Sequence, residues 1–174
     1  MRKFLDFYNL VCVAGIAYTI WLGYGAGATG ELGRHAISGI VAAIASVLGL
    51  TILMFYFIAT GSVIKKVVQA GLVDIKLYDK TRRFKMIVFP PTFALILIFS
   101  AIPALGAAYE VGKIPLIYHQ VLVWGAFFGY IGTYLKARGF VSENGAIWLE
   151  AVKASIKADK EKKGKTHEEK DETS

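Results

Sequence analysis

The sequence predicts an all-α integral membrane protein: a four-transmembrane-helix up-down bundle, a C-terminal amphipathic surface helix and a disordered tail. Three observations support this fold class. The 174 residues are 55% hydrophobic with a mean hydropathy of +0.50, which exceeds what soluble domains of this size carry. The apolar residues fall into four runs separated by short polar segments. The basic residues lie outside these runs.

Each apolar run is long enough to cross a bilayer as a helix. A hydrocarbon layer of roughly 30 Å needs about 20 helical residues. We therefore predict transmembrane helices over residues 4–24, 36–59, 88–108 and 115–135. Arg2 and Lys3 before the first run are also typical of a cleaved secretory signal. The apolar run is longer than the roughly 7 to 15 residues of such signals, which favours a retained span.

The distribution of basic residues predicts the orientation of the spans. The segment 65–85 between the second and third spans is strongly basic, whereas the other two links hold one basic residue each. By the positive-inside rule, both termini are cytoplasmic, and we predict a bacterial inner-membrane location. We expect the second helix to break at Gly71, and Pro90 and Pro91 to lie in the first turn of the third helix. The basic residues of the segment are Lys65, Lys66, Lys76, Lys80, Arg82, Arg83 and Lys85.

The C-terminal region divides into two further parts by composition. After a transmembrane domain over residues 1–141, residues 142–157 place Trp148, Leu149, Val152 and Ile156 near one face of a helix. Such a helix is expected to lie on the membrane surface. Residues 158–174 are almost entirely polar and are expected to be disordered.

Composition and motifs exclude several classes of function. The net charge of +7 lies in loops and the tail, where it faces lipid headgroups, so we expect no nucleic-acid partner. The single cysteine, Cys12, rules out an intrachain disulfide. Phosphate-binding glycine loops and the hydrolase motifs HExxH and GxSxG do not occur. An electron-transfer or non-catalytic subunit is therefore favoured over a stand-alone enzyme.

Two histidines open the second and fourth spans. His35 precedes its span by one residue, and His119 lies one turn into the other. Because both spans run from outside to inside in the predicted topology, the two rings are expected at one depth near the outer surface. Small residues follow each histidine at helical spacing and allow close helix approach. They are Gly39, Ala42, Ser46 and Gly49 after His35, and Ala126, Gly129 and Thr133 after His119.

We predict that His35 and His119 are the axial ligands of one b-type haem. In an up-down bundle the second and fourth helices are diagonal, which is the arrangement that bis-histidine ligation requires. The small residues would leave room for the macrocycle, a basic residue would meet a propionate, and aromatic residues would wall the pocket. The predicted cofactor site comprises His35, His119, Arg34, Gly39, Ala42, Tyr118 and Ala126, with Tyr109 and Trp124 as further walls.

Alternatives to haem remain open at this point. A copper or zinc ion would need a third ligand, for which Glu31 and Glu110 are the acidic candidates. A quinone site is another interpretation. A further interpretation is that the histidines bridge headgroups or hydrogen-bond a loop at the membrane boundary. Apart from haem, we predict no cofactor.

A different class of function is a non-catalytic scaffold or assembly subunit. Its basic loop, including Arg82, Arg83 and Lys85, would dock a cytoplasmic partner or anionic lipid. In the redox interpretation the partner is another membrane or redox subunit, since the chain has no substrate domain.

Asp6 and Asn9 are polar residues near the predicted cytoplasmic end of the first span. We expect them to pair with Lys65 or Lys66 at the surface. The alternative is a quinone-headgroup pocket shared with nearby tyrosines, Tyr8 and Tyr56.

Three segments carry a resemblance to a known group of proteins. They are MFYFIATGSVIKK, TRRFKMIVFPPT and YHQVLVWGAFF, within residues 34–144. In these segments the chain resembles bacterial four-helix membrane proteins of uncharacterised activity that carry an FYFIxTG-like segment. The resemblance implies a fold and no activity. The histidine pair is more distantly similar to b-type cytochrome membrane anchors, from which the chain differs in having one pair and no evident quinone motif.

Overall fold

The computed structural model describes residues 2–29 and 32–171, with side chains described over 2–25 and 32–164. These residues form four α-helices: α1 (Arg2–Thr29), α2 (Leu32–Gln69), α3 (Ile75–Glu110) and α4 (Leu116–Asp171). The all-helical prediction is confirmed. Three predicted spans fall within one helix each, and the fourth lies in α4 apart from its first residue, Pro115; Glu31 lies outside the described residues.

Within the described residues, three helices are long and apolar enough to cross a membrane. They are α1 over Arg2–Gly25, α2 and α3. The fourth predicted span, residues 115–135 at the start of α4, is not among them. Its polar side chains, including His119 and Gln120, lower the hydropathy of this segment. Three of the four predicted spans therefore have the required length and composition, and the fourth stays a prediction.

A glycine turn separates α2 from α3. Gly71 has a positive φ of 72°, which a residue without Cβ adopts at little cost. The Leu72 N–H donates to the Val67 carbonyl at 3.2 Å, satisfying an end carbonyl of α2. Asp74 then caps α3, because its Oδ1 accepts from the Lys76 N–H at 2.8 Å. The predicted break at Gly71 is confirmed, but the next helix begins 13 residues before Val88.

This early start changes the position of the prolines. Pro90 and Pro91 lie in the interior of α3 rather than in its first turn. Proline lacks an N–H, so the carbonyls of Met86 and Ile87 lose their usual helical donors. The Thr92 hydroxyl donates to the next carbonyl, that of Val88, at 2.7 Å.

The C-terminal region is one helix rather than two separate segments. α4 continues without interruption from Leu116 to Asp171, whereas the sequence predicts a separate helix over 142–157 and disorder from residue 158. Residues of high helix propensity and i,i+4 ion pairs stabilise this extension. Lys157 Nζ lies 4.0 Å from Glu161, and Lys163 Nζ lies 3.2 Å from Asp159.

The chain divides into two compact units. The four-helix unit comprises Met1–Phe55 and Ile87–Gly139, and the three-helix unit comprises Tyr56–Met86 and Phe140–Ser174. All four helices contribute to the core of the first unit. Its buried residues are Cys12, Ile16, Ala43, Leu50, Leu95, Phe99, Ala126 and Tyr130.

The three-helix unit contains the C-terminal part of α2, the N-terminal part of α3 and the C-terminal part of α4. Phe84 and Phe140 stack with ring centres 4.9 Å apart, and the Tyr56 hydroxyl donates to the Val141 carbonyl at 3.1 Å. The buried face of α4 here comprises Val141, Asn144, Ile147 and Ala151. Trp148, Leu149 and Ile156, which are predicted to face the membrane surface, are exposed on α4, and their contact with the membrane stays a prediction.

Candidate functional site

The two histidines lie side by side within the four-helix unit. His35 is the fourth residue of α2 and His119 is the fourth residue of α4. Their ring centres are 6.4 Å apart, and the ring planes are nearly perpendicular at 85°. Both side chains are half-buried. The structure therefore brings together the two residues that the sequence places at one level.

The ring of His35 is oriented by the backbone of α1. Its Nδ1 lies 3.1 Å from the Thr19 carbonyl oxygen. A carbonyl can only accept a hydrogen bond, so this nitrogen must carry the proton and donate. In this tautomer the lone pair lies on Nε2. Metal-ligating histidines are commonly oriented in this way, with the other ring nitrogen donating to a carbonyl.

Two glycines allow α1 and α3 to approach the rings. A Cβ built on Gly23 would lie 2.8 Å from His35 Cε1, and one on Gly106 would lie 3.2 Å from His119 Cε1. A larger residue at Gly23 would therefore displace the ring. Sequence reasoning did not select either glycine. The available signal was their place near the ends of the first and third spans, at the level of the histidines.

His119 differs from His35 in its hydrogen bonding. Its Nδ1 is buried and has no hydrogen-bond partner. Leaving a buried polar group unpaired costs about 1–3 kcal/mol. The pair thus combines one ring held in a defined orientation with a second ring whose buried nitrogen lacks a partner.

The small residues predicted to line the cofactor pack helices together. A Cβ on Gly39 would contact Thr19 Cγ2 at 3.4 Å. Ala42 packs against the core of the four-helix unit, and Ala126 is fully buried in it. The remaining predicted residues are at the surface: Tyr118 is 63% exposed and Arg34 is also exposed. Three of the five predicted residues thus lie in helix–helix contacts, and the other two lie at the surface.

A bare metal ion finds too few ligands in the part of the chain that the structure describes. No group of three or more His, Cys, Asp or Glu side chains there could hold a metal ion. Glu110 is exposed at the end of α3. Zinc sites normally use at least three protein ligands, which the described residues around the pair do not supply.

A second polar cluster, the polar ladder, joins α1 to α4 in the same unit. The Asp6 carboxylate accepts a hydrogen bond from Tyr134, and Arg138 Nε lies 3.1 Å from its Oδ1. The Tyr130 hydroxyl donates to Asn9 Oδ1 at 2.6 Å. The expected partners Lys65 and Lys66 belong to the other unit.

The polar ladder has a signal in the sequence. Tyr130, Tyr134 and Arg138 recur every four residues and therefore form a stripe on one face of α4. Asn9 also donates through Nδ2 to the Leu5 carbonyl at 2.7 Å. Both ends of the Asn9 amide are thus satisfied, which is typical of a structural polar contact.

No protein-family model, curated protein or solved structure shows significant similarity to this chain. The function of this chain is therefore inferred from the geometry of the histidine pair.

Proposed function

We propose that the protein is a small integral membrane electron-transfer subunit that holds one b-type haem between His35 and His119. The observation that carries the proposal is the 6.4 Å separation of the ring centres. Two imidazoles that ligate one metal from opposite sides, each at about 2 Å through nitrogen, have ring centres about 6 Å apart. Perpendicular ring planes do not prevent this ligation.

The hydrogen bonding of both rings supports the same interpretation. The Thr19 carbonyl fixes His35 with its Nε2 lone pair available. The unpartnered nitrogen shows that His119 is not held by a hydrogen bond from a neighbouring helix. A bond to the haem iron would fix the orientation of the His119 ring.

The position of the pair also suits the charge of haem. Each histidine is the fourth residue of its helix, so the N-terminal ends of α2 and α4 lie close to it. Helix N-termini carry partial positive charge that favours carboxylates such as the haem propionates. The bound haem would supply one-electron transfer. The residues of this chain would hold it, orient it and limit its contact with water.

A reduced-minus-oxidised absorption spectrum tests the proposal. The protein would be produced with full haem supply, purified in detergent and compared with His35→Ala, His119→Ala and the matched control His167→Ala, which changes the remaining histidine of the sequence. We expect the bands of a six-coordinate low-spin haem in the wild type and the control, and their loss in the first two variants. A colourless wild type, or bands that survive in His35→Ala and His119→Ala, would refute the haem site.

A metal analysis of the same samples distinguishes haem from the bare-ion alternative. We expect stoichiometric iron, present as haem, in the wild type and in His167→Ala. Stoichiometric copper or zinc without haem, lost in both other variants, would overturn the haem assignment and leave the histidine pair as an ion site.

A further inference from the structure

Three helices of the three-helix unit converge around Gly61 and Lys85. A Cβ on Gly61 would clash with Lys85, since Cε lies 2.8 Å from its position and Nζ is closer still. The same Cβ would lie 3.3 Å from Thr81 Cγ2. Glycine therefore allows the Lys85 side chain to lie directly against α2. Lys85 and Thr81 are four residues apart and share one face of α3.

The third side of this site is formed by α4. Asn144 is fully buried, and its Nδ2 donates to the Thr60 hydroxyl at 2.7 Å. This hydrogen bond fixes the amide and leaves Oδ1 as its free end. Gly145 lets α4 approach α2, because a Cβ there would lie 3.3 Å from the Tyr56 hydroxyl.

Polar groups in this unit lack partners. Thr81 Oγ1 and Asn144 Oδ1 are both buried without a hydrogen-bond partner. The half-buried Lys85 ammonium forms no ion pair or hydrogen bond with any residue that the structure describes. Unpaired buried polar groups are rare in folded proteins, and one recognised cause is a ligand or ion absent from the structure. Two such groups in the same three-helix unit as the unpaired, half-buried Lys85 are the observations from which we infer a binding site.

The types of groups define the chemistry of the ligand. An ammonium and a hydroxyl are donors that suit a phosphate. The free amide oxygen of Asn144 can only accept, so it requires a donor on the same ligand, such as a hydroxyl. The surrounding charge also favours an anion, since residues 56–86 contain seven basic residues against two acidic ones.

The place of the site along the sequence indicates the source of the phosphate. Gly61 follows the apolar run 36–59 by two residues, and Lys85 precedes the run 88–108 by three. Both residues thus lie where predicted spans end, at the level of lipid headgroups. A phosphate at this level belongs most simply to a lipid.

We propose that the three-helix unit binds a phosphate group that carries a hydroxyl donor, as in the headgroup of an anionic phospholipid. Lys85 Nζ and Thr81 Oγ1 bind the phosphate, and a headgroup hydroxyl donates to Asn144 Oδ1. Gly61 is a positioning residue that gives the ammonium its place against α2. The proposal is independent of the haem site, because it uses only residues of the three-helix unit.

Native mass spectrometry of the full-length protein, released from detergent micelles, tests the site. Three probes are titrated separately: phosphatidylglycerol, phosphatidylcholine and inorganic phosphate. We expect one phosphatidylglycerol per chain to be retained in preference to phosphatidylcholine, which has no headgroup hydroxyl. Lys85→Met keeps the aliphatic stem and should weaken binding about 10- to 100-fold, which is the effect of losing one hydrogen bond to a charged group.

Matched controls separate a defined site from general attraction to anionic lipid. Lys65→Met and Arg82→Gln remove exposed positive charges and should change the affinity little. Gly61→Ala retains every charge but displaces the Lys85 ammonium, and it should weaken binding in the same direction as Lys85→Met. Circular dichroism confirms that each variant is folded.

Several outcomes would overturn the proposal. Equal retention of phosphatidylglycerol by the wild type and by folded Lys85→Met would show that Lys85 is not a ligand. An equal loss in Lys85→Met, Lys65→Met and Arg82→Gln would show that only diffuse charge acts. Binding of inorganic phosphate as tightly as phosphatidylglycerol would retain the phosphate site and overturn its assignment to a lipid.

Discussion

The histidine pair and the polar ladder bury polar groups in the same four-helix unit with opposite results. In the polar ladder, Tyr130 and both ends of the Asn9 amide have hydrogen-bond partners. In the histidine pair, a buried nitrogen of His119 has none. A satisfied polar network holds helices in register, whereas an unsatisfied buried group costs stability and calls for an explanation. The difference separates residues that hold the unit together from the pair on which the proposed haem site rests.

The largest expected effect is the loss of Tyr130 from the polar ladder. Tyr130 is fully buried and packs edge-on against Phe99 with ring centres 5.8 Å apart. Tyr130→Ala should destabilise the four-helix unit by about 3–5 kcal/mol, as other aromatic-to-alanine core substitutions do. Unfolding in mixed micelles of increasing SDS fraction, followed by circular dichroism, measures the change. A loss below about 1 kcal/mol would contradict the structural role of this side chain.

A smaller effect is expected when only the hydrogen bond is removed. Tyr130→Phe keeps the ring and deletes the hydroxyl that donates to Asn9 at 2.6 Å. A double-mutant cycle with Asn9→Ala should give a coupling of about 0.6–1.7 kcal/mol, the range found for hydrogen bonds between membrane helices. Additive single effects would show that the two side chains do not interact. The same unfolding assay serves for all three variants.

The histidine pair should respond in the opposite sense. His119→Phe removes a buried nitrogen without a partner, so in protein prepared without haem it should leave stability unchanged or raise it by about 1 kcal/mol. Unfolding of this variant beside Tyr130→Ala compares the two regions directly. A loss as large as that of Tyr130→Ala would mean that His119 is a structural residue, and the comparison would fail.

The smallest effect on stability is expected at the glycines that face the rings. Gly23→Ala places a Cβ 2.8 Å from His35 Cε1, whereas Gly125→Ala enters open space. We expect the side-chain nitrogen NMR signals of His35 to shift in Gly23→Ala and to stay in place in Gly125→Ala. Each substitution should change the free energy of unfolding by less than about 1 kcal/mol. Unchanged His35 signals in Gly23→Ala would show that the ring is not held against α1.

The helices could be predicted from the sequence, but their boundaries could not. Length and hydropathy identify the apolar runs, and Gly71 marks a turn because its backbone requires positive φ. The start of α3 at Ile75 depends on a cap from Asp74 and on the packing of the polar residues before Val88. The position of the apolar runs contains no information about either. The helical continuation of α4 similarly depends on propensity and charge pairs rather than on hydropathy.

The candidate site also has features that could be predicted from the sequence and features that could not. The pairing of His35 with His119 could be predicted, because the predicted topology places both at one depth. The orientation of His35 by the Thr19 carbonyl could not, since every residue has a carbonyl and only the packing selects one. The expected pairing of Asp6 and Asn9 with Lys65 or Lys66 is wrong, because packing brings Tyr130, Tyr134 and Arg138 of α4 to these two residues.

Cys12 can report the opening of the four-helix unit. It is the single cysteine of the sequence and is buried in the core of the four-helix unit. A thiol reagent reaches such a side chain only when the surrounding helices separate, so the rate of alkylation measures the population of opened molecules. No cysteine needs to be introduced for this measurement.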